Sequence, residues 1–449
     1  MNITDYFSND VCNYASYDNY RKISSVVDGL KPSSRKCIYS IIRNNVSAPK
    51  KVSILKSDTA AQTQYLHGDQ SLEGVLVSLA QDFSGSNNIP LLKREGAFGT
   101  RLIPEAAAGR YIFTCKEDYL DKIFRKEDEP ILIGQNFEGD AIEPRHYVPV
   151  IPLLVINGSV GLTTGFMQKI LQHSPKDVIR YIEAKLHGEK AALTLKPWFN
   201  GFTGKVEELK GKGEGVWAIS GKAEKVSSSE VEITELPVGY TLESYTEILD
   251  RLEDEKQIRE YRDLSDDGKF RFKVKLFRSG QGISADDPDL LSKLRLVATV
   301  TESYTSFDER NRVVEFKSLY ELIDHYFGVR LEYYRKRKEW QTEHLTQKVK
   351  EAVSKYAFIA GVISGGIVIA KKSDAQIAAQ LEKADKIVKV DGSYDYLLSM
   401  PMKSMTGANL DRLKGQMKDL KAQLDRLKGM SAEELWQDDL NEFKKAYFK

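Results

Sequence analysis

Residues 93–114 read KREGAFGTRLIPEAAAGRYIFT, a glycine-rich basic stretch that passes through small residues into an adjacent arginine and tyrosine. The glycines interrupt regular structure and mark a loop. Shorter helical patterns precede this loop. One helix is expected over residues 33–42, because Pro32 suits a first helical turn and apolar residues recur on one face. A second helix is expected after Gly68 and Asp69.

Two short helices followed by a flexible basic loop are typical of a winged-helix module. In such a module one helix enters a groove of nucleic acid, while the loop contacts its backbone. The order of these elements predicts a DNA-binding domain in the first third of the chain.

Arg110 and Tyr111 place a phenol beside a guanidinium. A phenol has a pKa near ~10, so its oxygen attacks at neutral pH only where a cation or base helps. Arg110 can provide that charge and can bind a phosphate oxygen through its planar fork. The pair therefore suits nucleophilic attack on a phosphodiester. As an isolated dipeptide it is more typical of a half-buried tyrosine next to a surface arginine.

The length of 449 residues predicts two to four domains, at about 100–200 residues each. Lysine and arginine exceed aspartate and glutamate by 66 − 65 = +1, so a polyanionic partner must be held by local clusters. The N-terminal region has such a cluster. It is either a phosphate-binding face or an ordinary solvated surface. Its members are Arg21, Lys22, Lys31, Arg35, Lys36, Arg43, Lys50, Lys51 and Lys56.

The cysteines at positions 12, 37 and 115 lack the spacing of a zinc site, and their small number predicts a reducing compartment. No apolar run reaches the ~18 residues of a membrane span, and no signal segment opens the chain. We therefore expect a cytoplasmic protein without membrane association, located in the host cytoplasm if its source is viral.

The middle of the chain predicts an α/β domain. Residues 148–156 form a buried segment, and residues 194–300 show strand-like alternation around an acidic helix at residues 242–255. From Leu319 onward the chain favours helix. Apolar residues 410–427 follow spacings of 3, 4, 3, 4 and 3, which is typical of a coiled coil. Two such arms around residues 357–409 predict a hairpin with a compact tip, and an ordinary helical bundle is the alternative.

Several motifs, in this order, resemble the breakage-reunion subunit of type IIA DNA topoisomerases, the family of gyrase A, topoisomerase IV A and the C-terminal half of topoisomerase II. The resemblance covers nearly the whole chain. Within the family, the chain most resembles the medium subunit of the T-even-type phage topoisomerases. The motifs lie at residues 18–36, with Asp-Gly-Leu-Lys-Pro at 28–32, and at residues 65–69, 95–100, 106–111 and 157–162.

The resemblance implies a multidomain α+β fold. It implies a winged-helix DNA-cleavage domain over residues 1–165 and an α/β tower, or shoulder, domain over residues 166–315. Residues 316–449 would form a long antiparallel coiled-coil arm with a helical dimerisation tip at about 357–409, where two copies meet at the C-gate.

The resemblance also implies roles for individual residues. Tyr111 would attack the scissile phosphate and hold the 5′ end as a phosphotyrosine, with Arg110, Arg21 and His67 binding or polarising the same phosphate. Leu162 matches an intercalating wedge, where the family often has isoleucine. The expected contacts to the DNA backbone are Lys31, Arg35, Lys36, Lys93 and Arg94.

The implied activity is that of an ATP-dependent type II topoisomerase acting on double-stranded DNA as a homodimer of this chain. The sequence has no Walker-type loop and no acidic cluster suited to catalytic magnesium. Mg²⁺ and ATP are therefore expected on a separate ATPase and metal-binding subunit, with no metal or cofactor ligands in this chain. The alternative is a non-catalytic DNA-bending architectural protein on the same scaffold. A third possibility is an autonomous nuclease-like enzyme. The sequence argues against it because it has no acidic cluster that could hold a catalytic metal.

Overall fold

The computed structural model describes residues 2–189, 194–211, 213–277, 282–370, 372–384 and 386–448, apart from the side chains of Asp69 and Met402. The chain divides into two compact units. The first comprises Met1–Arg330 and Asp439–Lys449, and the second comprises Leu331–Asp438.

The first unit opens with helices α1 (Ile3–Tyr6) and α2 (Cys12–Lys22), joined by a π-helical turn. A winged-helix order of elements follows, with three helices and an antiparallel sheet of order β1-β3-β2. Both helices predicted here are confirmed, and the helix between them was not predicted because it has no pronounced apolar face. The elements are α3 (Pro32–Arg43), β1 (Lys50–Lys51), α4 (Val52–Gln62), α5 (Asp69–Ala80), β2 (Leu92–Glu95) and β3 (Phe113–Lys116).

A buried segment and a β-hairpin complete this region. The predicted burial of residues 148–156 is confirmed, since its aliphatic side chains lie in the core. Strands β6 and β7 pair antiparallel, so the boundary predicted between residues 165 and 166 falls inside their hairpin. The elements are α6 (Leu120–Ile123), β4 (Gln135–Phe137), β5 (Asp140–Ile142), α7 (Leu153–Asn157), β6 (Ser159–Leu162), β7 (Met167–Ile170) and α8 (Pro175–Leu186).

The rest of the first unit contains three further sheets, of orders β14-β9-β8, β10-β11-β13-β12 and β15-β16, together with helices. Alternate residues of β11 and β13, among them Val231, Ile233, Phe272 and Val274, pack with α9 in one core. The predicted strands and acidic helix are thus confirmed. The elements are β8 (Lys205–Glu208), β9 (Val216–Ser220), β10 (Lys222–Ser227), β11 (Glu230–Glu235), α9 (Leu242–Asp254), β12 (Glu260–Asp263), β13 (Phe272–Lys275), α10 (Leu290–Lys293), β14 (Val297–Thr301), β15 (Thr305–Phe307) and β16 (Val313–Glu315).

Helices make up most of the remaining chain. The long helix α11 runs through both units, and Leu413, Leu424 and Leu427 are the buried members of the predicted heptad stripe on α14. The helix predicted from Leu319 onward is thus confirmed, although the bounds of the last helix were not predicted. No helix in the described residues is both long and apolar enough to span a membrane. The helices are α11 (Leu319–Ile363), α12 (Asp374–Lys383), α13 (Asp395–Leu398), α14 (Gly407–Gly429) and α15 (Ala432–Tyr447).

A buried ion pair joins the turn before α3 to the helix itself. Asp28 is fully buried and accepts hydrogen bonds from the Arg35 side chain at 2.6 and 3.0 Å. It also accepts the backbone N–H groups of Leu30 and Tyr147, both at 3.0 Å. This carboxylate therefore links α3 to a segment more than a hundred residues later in the chain.

We predict that Arg35→Ala lowers the free energy of unfolding by about 3–5 kcal/mol, because it leaves the buried Asp28 carboxylate without its counter-ion. Urea denaturation followed by circular dichroism measures the change. Arg43→Ala, which removes an exposed arginine from the same helix, is the matched control and should change the free energy of unfolding by only about 0.5 kcal/mol. Equal effects of the two substitutions would contradict the importance of the buried pair.

Candidate functional site

Tyr111 lies on the loop between β2 and β3, with 65% of its surface exposed. The Arg110 guanidinium carbon is 4.7 Å from the centre of the Tyr111 ring, and Arg110 is exposed as well. The phenol is therefore open to a large ligand and has a cation beside it. The adjacency of phenol and guanidinium follows from the sequence, and the catalytic role of the pair stays a prediction.

The backbone around Tyr111 is anchored although its side chain is free. The N–H groups of Val52 and Ser53, at the start of α4, donate to the carbonyls of Ile112 and Gly109 at 3.1 Å each. First-turn N–H groups of a helix have no partner within the helix, so they are available to hold another segment. The N–H of Tyr111 itself donates to the carbonyl of Ala108 at 2.9 Å.

Lys93 and Arg94 lie on β2, at the base of the same loop. Lys93 pairs with Asp118 at 2.6 Å, and Arg94 pairs with Asp82 at 2.8 Å. The hydrogen bond to Asp118 raises the pKa of Lys93. Exposed ion pairs of this kind contribute only about 0–1 kcal/mol, so a phosphate can replace the carboxylate at little cost.

Arg21 and His67 lie together in a second group with two aromatic residues. The hydroxyl of Tyr17 and Nε2 of His67 share a hydrogen bond of 2.5 Å, and the Arg21 guanidinium carbon is 5.7 Å from the Tyr17 ring centre. The rings of Tyr65 and His67 pack edge to face, with their centres 5.4 Å apart. Loss of solvation lowers the pKa of His67, and the charge of Arg21 lowers it further. The group therefore combines one fixed cation with a neutral imidazole.

The hairpin of β6 and β7 presents Leu162 to solvent, with 72% of its surface exposed. Leu162 is therefore not a core residue. The hairpin packs closely against the end of α2, where a Cβ at Gly161 would lie 2.3 Å from the carbonyl oxygen of Lys22. Lys31 donates from Nζ to the carbonyl of Val160 at 2.8 Å, and partial burial lowers its pKa. The wedge candidate is thus fixed beside the segment that carries Arg21.

Two predicted DNA contacts are corrected by the structure. Arg35 is only 3% exposed and holds Asp28, so it supports the fold and cannot reach a phosphate. Lys36 is mostly shielded and donates to the carbonyl of Thr63 at 2.7 Å and to the buried Glu143 at 2.8 Å. Both side chains are used internally because each faces a carboxylate that would otherwise be buried without a counter-charge.

The N-terminal basic cluster is therefore not a single phosphate-binding face. Lys22 pairs with Asp18 and Lys56 pairs with Glu73, in addition to the internal pairs of Arg35 and Lys36. No acidic partner is found for the exposed cations Arg21, Arg43, Lys50 and Lys51 among the described residues.

The predicted residues thus form two groups. Arg110 and Tyr111 share one loop with the neighbouring β2 cations, whereas Arg21, His67, Lys31 and Leu162 lie around the end of α2. No described hydrogen bond or ring contact joins Tyr111 to Arg21 or His67. Sequence reasoning missed Tyr17 and Glu73, since the residues around a tyrosine or glutamate on a helix do not indicate its distant partner. Among the described residues, no group of three or more His, Cys, Asp or Glu side chains could hold a metal ion.

The sequence profile of the A-subunit family of DNA gyrase and topoisomerase IV matches residues 21–441. The chain is 31% identical to a DNA topoisomerase 2 of Penicillium chrysogenum over 98% of its own length and 30% of that protein. It is also 31% identical to a DNA topoisomerase 2 of Invertebrate iridescent virus 6, over 98% of this chain and 39% of that protein. The chain thus spans about a third of the length of these relatives.

A comparison with solved structures agrees with these sequence matches. The crystal structure of the Plasmodium falciparum topoisomerase II DNA-binding, cleavage and re-ligation domain matches with a TM-score of 0.86 and 30% sequence identity. The match covers 98% of this chain and 64% of that one. The mixed α/β architecture described above is therefore that of this domain.

We predict that Arg21→Gln raises the pKa of His67, because loss of the nearby positive charge favours the imidazolium form. Titration of the His67 ring signals by NMR measures the shift. Lys22→Gln is the matched control: Asp18 already neutralises this lysine, so the pKa of His67 should stay unchanged. An unchanged His67 pKa in Arg21→Gln would show that the two side chains are not electrostatically coupled.

Proposed function

The chain belongs to the type IIA topoisomerases, in the A-subunit family of DNA gyrase and topoisomerase IV, and on that premise we propose that it is the DNA-cleaving and rejoining part of an ATP-dependent type II topoisomerase. The observation that carries the proposal is the exposed Tyr111 with Arg110 against its ring, on a loop whose backbone is anchored to α4.

The proposed reaction exchanges one phosphodiester for another. The Tyr111 oxygen bonds to the scissile phosphorus while the bond from phosphorus to the 3′ oxygen breaks. The phenol gives up its proton and the leaving 3′ oxygen takes one up. The 5′ end then stays on the protein as a phosphotyrosine, and the reverse attack reseals the strand. Because the bond energy is retained, sealing needs no separate cofactor, and a second duplex can pass through the break in the meantime.

Arg110 would stabilise the negative charge that develops on the phosphate during attack. Arg21 and His67 would bind the DNA backbone beside the wedge, and their shared packing with Tyr17 supports a common role. Lys93 and Arg94 would exchange their exposed carboxylate partners for phosphates. Lys31 would orient the hairpin and offer its remaining N–H groups to the DNA. Arg35 and Lys36 are not part of this proposal.

Leu162 would insert between base steps and kink the duplex. An apolar wedge unstacks a step at a cost of roughly a few kcal/mol, which is offset by the longer stretch of DNA then in contact with the protein. Its exposure at the tip of an anchored hairpin supports this role.

We propose that Mg²⁺ and ATP are bound by a separate ATPase and metal-binding subunit. The described residues offer no cluster suited to the metal, so no step of the reaction on this chain is assigned to it. Bound magnesium supplies charge stabilisation at phosphate oxygens when present. The residues of this chain provide the nucleophile and orient the DNA.

We propose that two copies associate, because cutting both strands of a duplex takes two equivalent tyrosines. The helical tip at residues 357–409 has its own core and leaves Ile363, Val368 and Ile369 exposed. Lys338 on α11 contacts the carbonyl of Lys428 at the end of α14, whereas Phe358 packs with Leu413 nearer its start. These contacts support an antiparallel pair of arms that ends in a dimerisation tip.

We predict that Tyr111→Phe abolishes covalent complexes with DNA 5′ ends, because the variant lacks the attacking oxygen. The test mixes the full chain with its ATPase partner, Mg²⁺ and supercoiled plasmid, and then traps complexes with detergent. Tyr14→Phe, which alters an equally exposed tyrosine, should cleave like the wild type. Complexes that persist in Tyr111→Phe would refute the nucleophile. A wild-type chain that bends DNA but never forms the covalent link would favour the architectural alternative.

We predict that Leu162→Ala reduces the bend of bound DNA, because alanine is too short to separate a base step. Energy transfer between dyes at the two ends of a duplex reports the bend. Val226→Ala truncates an exposed valine on β10 and should leave the bend unchanged. An unaltered bend in Leu162→Ala would remove the wedge from the mechanism.

A further inference from the structure

Glu73 is a carboxylate on α5 to which the reaction above gives no role. Its Oε1 accepts the backbone N–H of Gly109 at 2.6 Å, and its Oε2 accepts Nζ of Lys56 at 2.9 Å. Only 17% of the side chain is exposed. The approach is so close that a Cβ at position 109 would lie 2.6 Å from the Glu73 carboxyl carbon. A side chain at position 109 would therefore displace the Glu73 carboxylate from its present place.

Gly109 is held from both sides. The Gly109 N–H donates to the Glu73 carboxylate, and the N–H of Ser53 on α4 donates to the Gly109 carbonyl at 3.1 Å. The two helices thus grip the peptide groups of a single buried residue, which lies two positions before Tyr111. A shift of Gly109 would move Arg110 and Tyr111 with it.

The charge of Glu73 is balanced locally. The hydrogen bond from Lys56 lowers the pKa of Glu73, and the Gly109 N–H and the charge of Arg110 lower it further. The group is therefore an ionised carboxylate at neutral pH, and a carboxylate accepts an N–H bond more strongly than a neutral acid does. Lys56 offsets the negative charge that would otherwise attract Arg110 away from a phosphate.

Resting on the function proposed above, we propose that Glu73, balanced by Lys56, is a positioning residue that holds Gly109 so that Tyr111 and Arg110 point at the scissile phosphate. It acts through the backbone and does not touch DNA. Its removal should therefore slow the chemistry without weakening DNA binding. Strand cleavage and resealing pass through the same transition state, so both rates should fall together.

The test measures single-turnover cleavage and resealing rates of the full chain with its ATPase partner, Mg²⁺ and a nicked-site duplex. In Glu73→Ala we expect both rates to fall by up to about 100-fold, the scale of a misplaced reacting group. The affinity for DNA and the fraction of protein that eventually reacts should stay at wild-type values. A merely unfolded population would lower that fraction and leave the rates unchanged.

The double variant Glu73→Gln with Lys56→Met tests the acceptor separately from the charge. It keeps an oxygen for the Gly109 N–H and removes both charges, so we expect most of the rate to return. Asp121→Ala breaks the ion pair with Lys116 elsewhere in the same unit and is the control, with wild-type rates expected.

Wild-type rates in Glu73→Ala would overturn the positioning role alone. If that variant misfolds, the double variant decides: a folded but slow protein refutes the role, and a folded fast one supports it. The absence of any Tyr111-dependent covalent complex from the wild-type chain would overturn the proposed function, and the positioning role with it.

Discussion

The proposed function places one central constraint on this molecule: the Tyr111 side chain must be open to solvent while the backbone that carries it stays fixed. A reacting group that moves by about an ångström loses much of its effectiveness, and loops are the most mobile part of a fold. Both demands are met because the backbone beside Tyr111 is hydrogen-bonded to two helices. The N–H groups at the start of α4, which have no partner within the helix, donate to this backbone, and the Glu73 carboxylate on α5 accepts from it. The winged-helix order of elements matters here because it brings β1, and hence the start of α4, next to the strand that follows Tyr111.

The charged side chains of the N-terminal region are divided between internal ion pairs and the exposed surface. Four of the nine cations of the N-terminal cluster neutralise buried or half-buried carboxylates, and the net charge of the chain is close to zero. A general attraction between the protein and a polyanion is therefore weak, and the DNA binding proposed above depends on a few cations in defined positions. Arg21, Arg110 and the β2 pair Lys93 and Arg94 are exposed or exchangeable, whereas Arg35 and Lys36 are structural.

Sequence alone predicted the features that depend on neighbouring residues. The helix after Pro32, the loop that carries Tyr111 and the apolar stripe on α14 each follow from local residue types or spacing, and each is found. Features that depend on distant partners were missed. Lys36 looks like a free surface lysine until Glu143, 107 residues away, is placed against it. Glu73 and Gly109 are 36 residues apart, and nothing in either local pattern indicates their contact.

The hairpin of β6 and β7 shows why geometry and charge must act together. Val160, Leu162 and Met167 share one face of the hairpin, since paired and alternate residues of a β-ladder point the same way, and all three are exposed. Isolated exposed apolar residues are ordinary, but a group on a strand tied down by Lys31 and Asp18 is a rigid patch. Burying a leucine between bases recovers roughly 1.5–3 kcal/mol, which about equals the cost of unstacking a step. Insertion of the proposed wedge therefore contributes a net binding free energy close to zero by itself. In the proposed function, phosphate contacts therefore provide the net affinity, and the uncharged tip of the hairpin lies beside the segment that carries Arg21.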